Sequence, residues 1–300
     1  QTPRGGRKGE KSWGDPFLSA MIAAVITVSL LSLSQTECGE IPERHERQRS
    51  PISLDTVIAS PSWSRQDALR FEYGSRPAAI DCRDHHGYWE IRMNGEQKLH
   101  VAYLNETFVL QQFHMHWGDT VDQAGSEHVL NGRRSTAEIH FVHRNVRYAT
   151  MKEALGKPAG LAVLGVLIDA VGPDEMDPRE KINNQRVDNQ FWVLADLMRG
   201  YGSRSKLDRL RYLWRIDPMA LIPDSSPFLH YTGSLTFNER GPVEWIVFER
   251  PVRVRRERLA FLYEYGPANW NELHDIRDDT VIYRTRDELK DNQEGSGERG

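Results

Sequence analysis

From Gln112 to Trp117 the side chains alternate one by one: Gln, Phe, His, Met, His, Trp. In a strand, residues two apart share a face, so Gln112, His114 and His116 point one way and Phe113, Met115 and Trp117 the other, into core. A second run, Ala137 to His143, repeats the pattern. There Glu138, His140 and Val142 share a face, and Ile139, Phe141 and His143 share its opposite. Further short alternating or apolar runs (Trp89 to Met93, Thr107 to Trp117, Gly160 to Ile168, Val243 to Phe248) read as strands. Helical periodicity is credible mainly over Asn189 to Arg199. The expected class is mainly β (α+β), with peripheral helices.

Composition narrows the function. The 300 residues are 39% hydrophobic and 27% charged, enough for a sizeable core. A net charge of −4 builds no broad basic field, so no nucleic-acid partner is expected. Two cysteines are too few for a disulfide scaffold or a thiolate zinc site. Eleven histidines are the unusual feature.

Residues 1–45 read as a disordered segment carrying one apolar, uncharged run at 17–34. Its apolar core, Met21 to Leu33, has the length of a secretory signal, and Ser32-Leu33-Ser34 offers small residues for cleavage. A signal anchor and an error of gene prediction are the competing readings. Membrane association is expected only through 17–34, and the expected location is secreted or, if anchored, extracellular. Residues 46–285 read as one domain, because no Gly/Ser-rich linker interrupts them, and 286–300 as a polar tail.

A His-x-His pair on a strand aims two imidazoles at one point, yet alone it equally suits packing or surface histidines. His140 on the second strand shifts the balance. Three neutral imidazoles with no thiolate and no fourth protein ligand make the composition of a catalytic zinc site, the open position being left for water. Gln112 and Glu138 each precede a histidine by two residues on the same face, where they could orient its other ring N–H. A polar pair exposed at a sheet edge is the plainer reading of those two. Glu127 and His128, in the Gly125-Ser126-Glu127-His128 stretch between the strands, would by themselves be solvated loop residues.

These motifs, together with Ser50-Pro51-Ile52, Gly160 to Gly165, Tyr231 to Thr236 and Trp245-Ile246-Val247, resemble the α-class carbonic anhydrases in order and spacing over about residues 48–250. The resemblance implies a twisted, mostly antiparallel sheet of about ten strands with a zinc ion in a conical cavity. It implies zinc on His114, His116 and His140, with Gln112 and Glu138 behind them and His128 as a buried structural hydrogen-bonder. Glu127 and Thr236 would form a relay to hydroxide on the zinc, and Val142, Val163, Leu235, Val243 and Trp245 an apolar wall for carbon dioxide. The implied reaction is reversible hydration of carbon dioxide to bicarbonate and a proton. No protein partner is implied.

The chain also departs from the family. Thr236-Phe237-Asn238-Glu239 stands where Thr-Thr-Pro-Pro is usual, which puts a bulky Phe237 near the cavity, unless it turns outward. Asn269-Trp270 matches the family ending only loosely, and no role is transferred there. His86, in the polar turn Asp84-His85-His86-Gly87, is the candidate proton shuttle, although such a turn is otherwise simply solvated. A carbonic-anhydrase-related binding module with little turnover is the alternative function. A cupin-like oxygenase fits less well, since cupins place a carboxylate shortly after His-x-His. Cys38 and Cys82 could pair in an oxidising compartment, and Asn105-Glu106-Thr107 is a glycosylation acceptor triplet.

Overall fold

The computed structural model describes residues 47–55, 63–82, 89–172, 174–175, 181–200 and 215–287. The elements in chain order are a short helix α1 (Arg65–Ala68) and strands β1 (Leu69–Glu72), β2 (Arg76–Cys82), β3 (Trp89–Met93), β4 (Lys98–Val101) and β5 (Glu106–Trp117). A two-strand ribbon, β6 (Val129–Leu130) and β7 (Arg133–Arg134), then leads to β8 (Ala137–Asn145), helix α2 (Met151–Ala154) and β9 (Leu161–Val171). Helix α3 (Lys181–Gly200), β10 (Arg215–Ile216), β11 (Phe228–Gly233), β12 (Val243–Arg255), α4 (Arg256–Tyr265) and β13 (Tyr283–Arg284) complete the described fold.

Eleven strands form one mixed sheet in the order β10-β2-β3-β5-β8-β9-β12-β11-β13, with β4 bridging β1 to β5. All pairs are antiparallel except β9 with β12. The expected mainly-β, single-domain class with few helices is what the chain adopts. Two elements run longer than their sequence signal. Helix α3 begins at Lys181 rather than Asn189, because its first turns are polar and carry no apolar period. Strand β12 runs to Arg255, past a register shift between Phe248 and Val252 that accommodates Pro251.

The central strands are buried on both faces. On one face Phe113, Met115, Trp117, Phe141 and Ile139 pack under the helices, meeting Phe191, Leu194 and Met198 of α3 and Leu259 and Leu262 of α4. Apolar residues at 187, 191, 194, 195 and 198 give α3 the stripe that covers this core. The other face holds a smaller core around Ile52, Tyr231 and Trp245. A bulge at Gln111, between the Leu110–His143 and Gln112–Val142 pairs, switches the phase of β5. Leu110 thereby joins the first core, while Gln112 keeps the second face. Among the described residues no helix is long and apolar enough to cross a membrane; the 17–34 run lies outside them. Fixed contacts continue past 285: Arg286 bridges to Ser64, and Arg250 holds Asp287 through both carboxylate oxygens at 2.6 and 2.7 Å.

Candidate metal centre

Antiparallel register does the first part of the assembly. Across β5 and β8, His114 lies opposite His140, His116 opposite Glu138, and Gln112 opposite Val142. Opposed residues share a face, so the three histidines meet on one patch. Their ring centroids are 4.6 to 5.3 Å apart. Each is at most 6% exposed, and one ring nitrogen from each lies within 4.8 Å of the others, near enough for one ion.

Each outward N–H is spoken for. His114 donates from Nδ1 to Gln112 Oε1 at 2.8 Å, and His116 from Nδ1 to the Asn269 carbonyl at 2.9 Å. His140 donates from Nε2 to Glu138 Oε1 at 2.9 Å. These bonds fix the tautomers, so His114 and His116 present Nε2 inward and His140 presents Nδ1. His116 Nε2 is buried with no hydrogen-bond partner. A buried orphan acceptor is costly to keep unless a ligand or ion meets it. Three imidazoles and an orphan nitrogen fit zinc's preference for neutral nitrogen donors with a position left open.

Glu138 anchors the arrangement. Its Oε1 accepts from His140 and, at 2.7 Å, from His128 Nδ1; its Oε2 accepts the backbone N–H groups of Glu127 and His128, both at 2.9 Å. Four donors fill a carboxylate's acceptor sites. Burial works to raise the Glu138 pKa, but His128 and His140 outweigh it and hold the carboxyl well below its usual range. Gly165 of β9 makes the room: a Cβ there would stand 2.9 Å from Glu138 Oε1 and 3.1 Å from Val247 Cγ2. Burial pushes the pKa values of His114 and His116 down, keeping both rings neutral. For His140 burial acts the same way, but Glu138 and then Glu127 overcome it and raise the net value. His128, Glu138 and His140 also cluster closely, yet the facing atoms of that set are spent on one another. His128 is fully buried and reaches Tyr231 Oη at 2.8 Å through Nε2, while Tyr231 donates to Ser50 Oγ.

The patch opens into a cavity of about 670 Å³. Gln112, the three histidines and Glu90 line it, as do Val142, Val163, Leu235 and Trp245, with Thr236 and Phe237 at one border. Val243 does not line it. Register explains why: Gly165 and Val247 continue the His140 row, Val163 and Trp245 the Val142 row, and Val243 lies two residues beyond, fully buried. Phe237 borders the cavity while 75% exposed, so its ring is mostly in water.

The expected bond between Glu127 and Thr236 is not formed. Glu127 Oε1 takes the backbone N–H of Asn271 at 3.1 Å together with its side-chain amide. Oε2 is buried without a hydrogen-bond partner, 3.8 Å from His140 Nδ1. Thr236 is half-buried at the cavity border. His86 and Cys38 lie outside the described residues, as does the side chain of Cys82.

Sequence reading missed the segment from Ala268 to Asn271. Asn269 accepts from His116 through its carbonyl, and its side chain holds Trp117 N at 2.9 Å and the Met115 carbonyl at 3.0 Å. Arg134 stacks on Trp270 at 4.4 Å and donates to the carbonyls of Ser126 and Glu127, tying this segment to the Glu127 loop. The Asn269-Trp270 dipeptide was the one available signal.

The profile of the eukaryotic-type carbonic anhydrase family matches residues 34–279. Carbonic anhydrase 1 of Mus musculus is 32% identical over 225 residues, which are 74% of this chain and 79% of that protein. Carbonic anhydrase 3 of Rattus norvegicus is 31% identical over 56% of this chain and 58% of its own length. Carbonic anhydrase 1 of Monodelphis domestica is 35% identical over 51% and 53%. The chain thus spans little more than half the length of these last two relatives.

Proposed function

Because the chain belongs to the eukaryotic-type carbonic anhydrase family, we propose that it hydrates carbon dioxide reversibly to bicarbonate and a proton, with zinc on His114, His116 and His140. When bound, zinc acts as a Lewis acid that makes water a nucleophile near neutral pH, carbonic anhydrases being the standard instance of that chemistry. The observation that carries the reading is the convergence of three buried imidazoles whose outward N–H groups are all committed, leaving the inward nitrogens as donors.

The chain's own residues supply the rest. Val142, Val163, Leu235 and Trp245 offer an apolar surface beside the histidines, suited to an uncharged substrate and unsuited to its charged product. Glu127 Oε2 is a buried acceptor without a donor, and Thr236 is the hydroxyl on the same cavity. Donation from Thr236 to Glu127 would leave the hydroxyl oxygen able only to accept, which orients the attacking water. His86 would pass the released proton to solvent. Secretion, or anchoring with the domain outside the cell, belongs to the same proposal and rests on the 17–34 run.

The unformed Thr236–Glu127 bond and the exposed Phe237 favour one second reading, a zinc-binding relative with little turnover. Zinc stoichiometry and stopped-flow carbon dioxide hydration on the purified chain separate the two. One zinc per chain with fast hydration is expected; one zinc without hydration would replace the first reading by the second, and no zinc would end both.

A further inference from the structure

We propose that Asn105 is the acceptor of an N-linked glycan, attached as the chain passes through the secretory compartment. The inference rests on the secretory reading of residues 17–34 and is independent of the hydration reaction.

Asn105-Glu106-Thr107 is the only Asn-x-Ser/Thr triplet in the sequence, and its middle residue is not proline. Asn105 is exposed at the turn between β4 and β5. It has left-handed backbone, φ 52°, and its N–H closes the turn on the Ala102 carbonyl at 3.0 Å. Asparagine tolerates that conformation better than most residues, so the turn accounts for Asn105 but not for Thr107. The carboxamide therefore stands at a surface turn, where a bulky hydrophilic group displaces no core.

In the folded sheet Thr107 Oγ1 meets His100 Nδ1 at 2.9 Å, across the His100–Thr107 register pair. The hydroxyl that makes the triplet an acceptor thus touches His100 once β4 and β5 pair, and is free of that contact on the emerging chain. In the transfer, the Asn105 amide nitrogen attacks the anomeric carbon of an oligosaccharide carried on a lipid diphosphate. The N–C bond forms, the C–O bond to the diphosphate breaks, the lipid diphosphate leaves with the electron pair, and the amide proton passes to a base of the transferase.

Position makes the glycan compatible with an open cavity. His114 lies nine residues along β5 from Asn105, roughly 30 Å at about 3.3 Å per residue. The nearer neighbour is β1, which pairs only with β4 among the described strands and opposes Leu69 to Val101 at this end of the sheet. A hydrophilic chain at the adjacent turn would shield that open edge from pairing with another molecule.

The test expresses the full chain in cultured eukaryotic cells in two forms, as it stands and with a cleavable secretory leader placed before Gln1. Peptide-N-glycosidase treatment followed by mass spectrometry reads the outcome. Both forms are expected to lose the mass of one core oligosaccharide and to carry aspartate at 105 afterwards. Asn105→Gln and Thr107→Ala should lose the shift completely, and Thr107→Ser should retain it. An unmodified Asn105 in leader-directed protein recovered from the medium overturns the acceptor assignment. A glycan on the leader-directed form alone overturns the secretory reading of residues 17–34, on which the proposal rests.

Discussion

His140 and His143 stand three residues apart on the same strand, both essentially without solvent exposure, and they are driven in opposite directions. His140 faces the cavity row, where Glu138 and Glu127 raise its pKa against burial. His143 points into the opposite core, and burial there lowers its pKa to about 4. Its two nitrogens are both closed, Nδ1 by donation to the Ala162 carbonyl at 3.2 Å and Nε2 by Tyr73 Oη. Burial does not make a histidine a ligand. What matters is whether a ring nitrogen is left turned toward the cavity: an acceptor behind His140 Nε2 keeps its Nδ1 on that side, whereas both nitrogens of His143 are spent in the core.

The harshest way to break this contrast is to remove one ring from each set. His116→Ala should lose nearly all zinc and hydration activity, because two remaining ligands cannot hold the geometry. His143→Gln, by contrast, should keep one zinc per chain. Metal analysis and stopped-flow hydration read both, and equal zinc loss in the two variants would erase the distinction.

The next test uses protons. Between pH 6.5 and about 4 the unfolded chain protonates His143 and the folded chain does not. Unfolding free energy from this group is therefore undiminished above pH 6.5 and falls as pH drops through that window, by about 3 kcal/mol in all. Urea titrations across the range should show wild type losing more stability than His143→Gln by that order. Parallel curves would mean that the core does not hold His143 neutral.

On the cavity side, Thr236→Ala should keep the metal and slow hydration on the order of 10²-fold, the usual scale for one positioning hydrogen bond. Zinc loss equal to that of His116→Ala would show Thr236 to be structural. The smallest loss of metal affinity should come from Glu138→Gln, which keeps the shape but gives up the charge and sets an amide N–H group against two of the four donors. Outer partners of this kind typically change metal affinity about 10- to 100-fold, and competition with a chelator would measure it. Unchanged affinity would mean that the carboxylate's charge does not reach the ligands.

The histidine triad was legible because strand alternation is local: two residues along the chain is one position along a face. The pairing of His114 with His140 needed only that the two strands be neighbours. Asn269 was not legible, because it serves His116 through a backbone carbonyl that any residue could present, from far along the chain. Glu127 was named, but its partner was expected from the Thr236 loop and is instead Asn271. That exchange depends on where a long irregular segment comes to rest, which no periodicity encodes. Val243 shares the face of Trp245 but sits two residues away along β12, buried in the same apolar cluster as Val142 and Val163.

Gly165 binds no metal, lines no cavity and carries no side chain, yet its missing methyl group is what lets the Glu138 carboxylate sit against His140. An alanine there would drive the oxygen off its place or push Val247 aside, and the disturbance would reach the ligand before it reached the core. Any survey that ranks inherited variants by their distance from reacting atoms, or by the volume they remove, would score this position as harmless. Such a variant would present as a metal-affinity defect in a protein whose ligands are all intact.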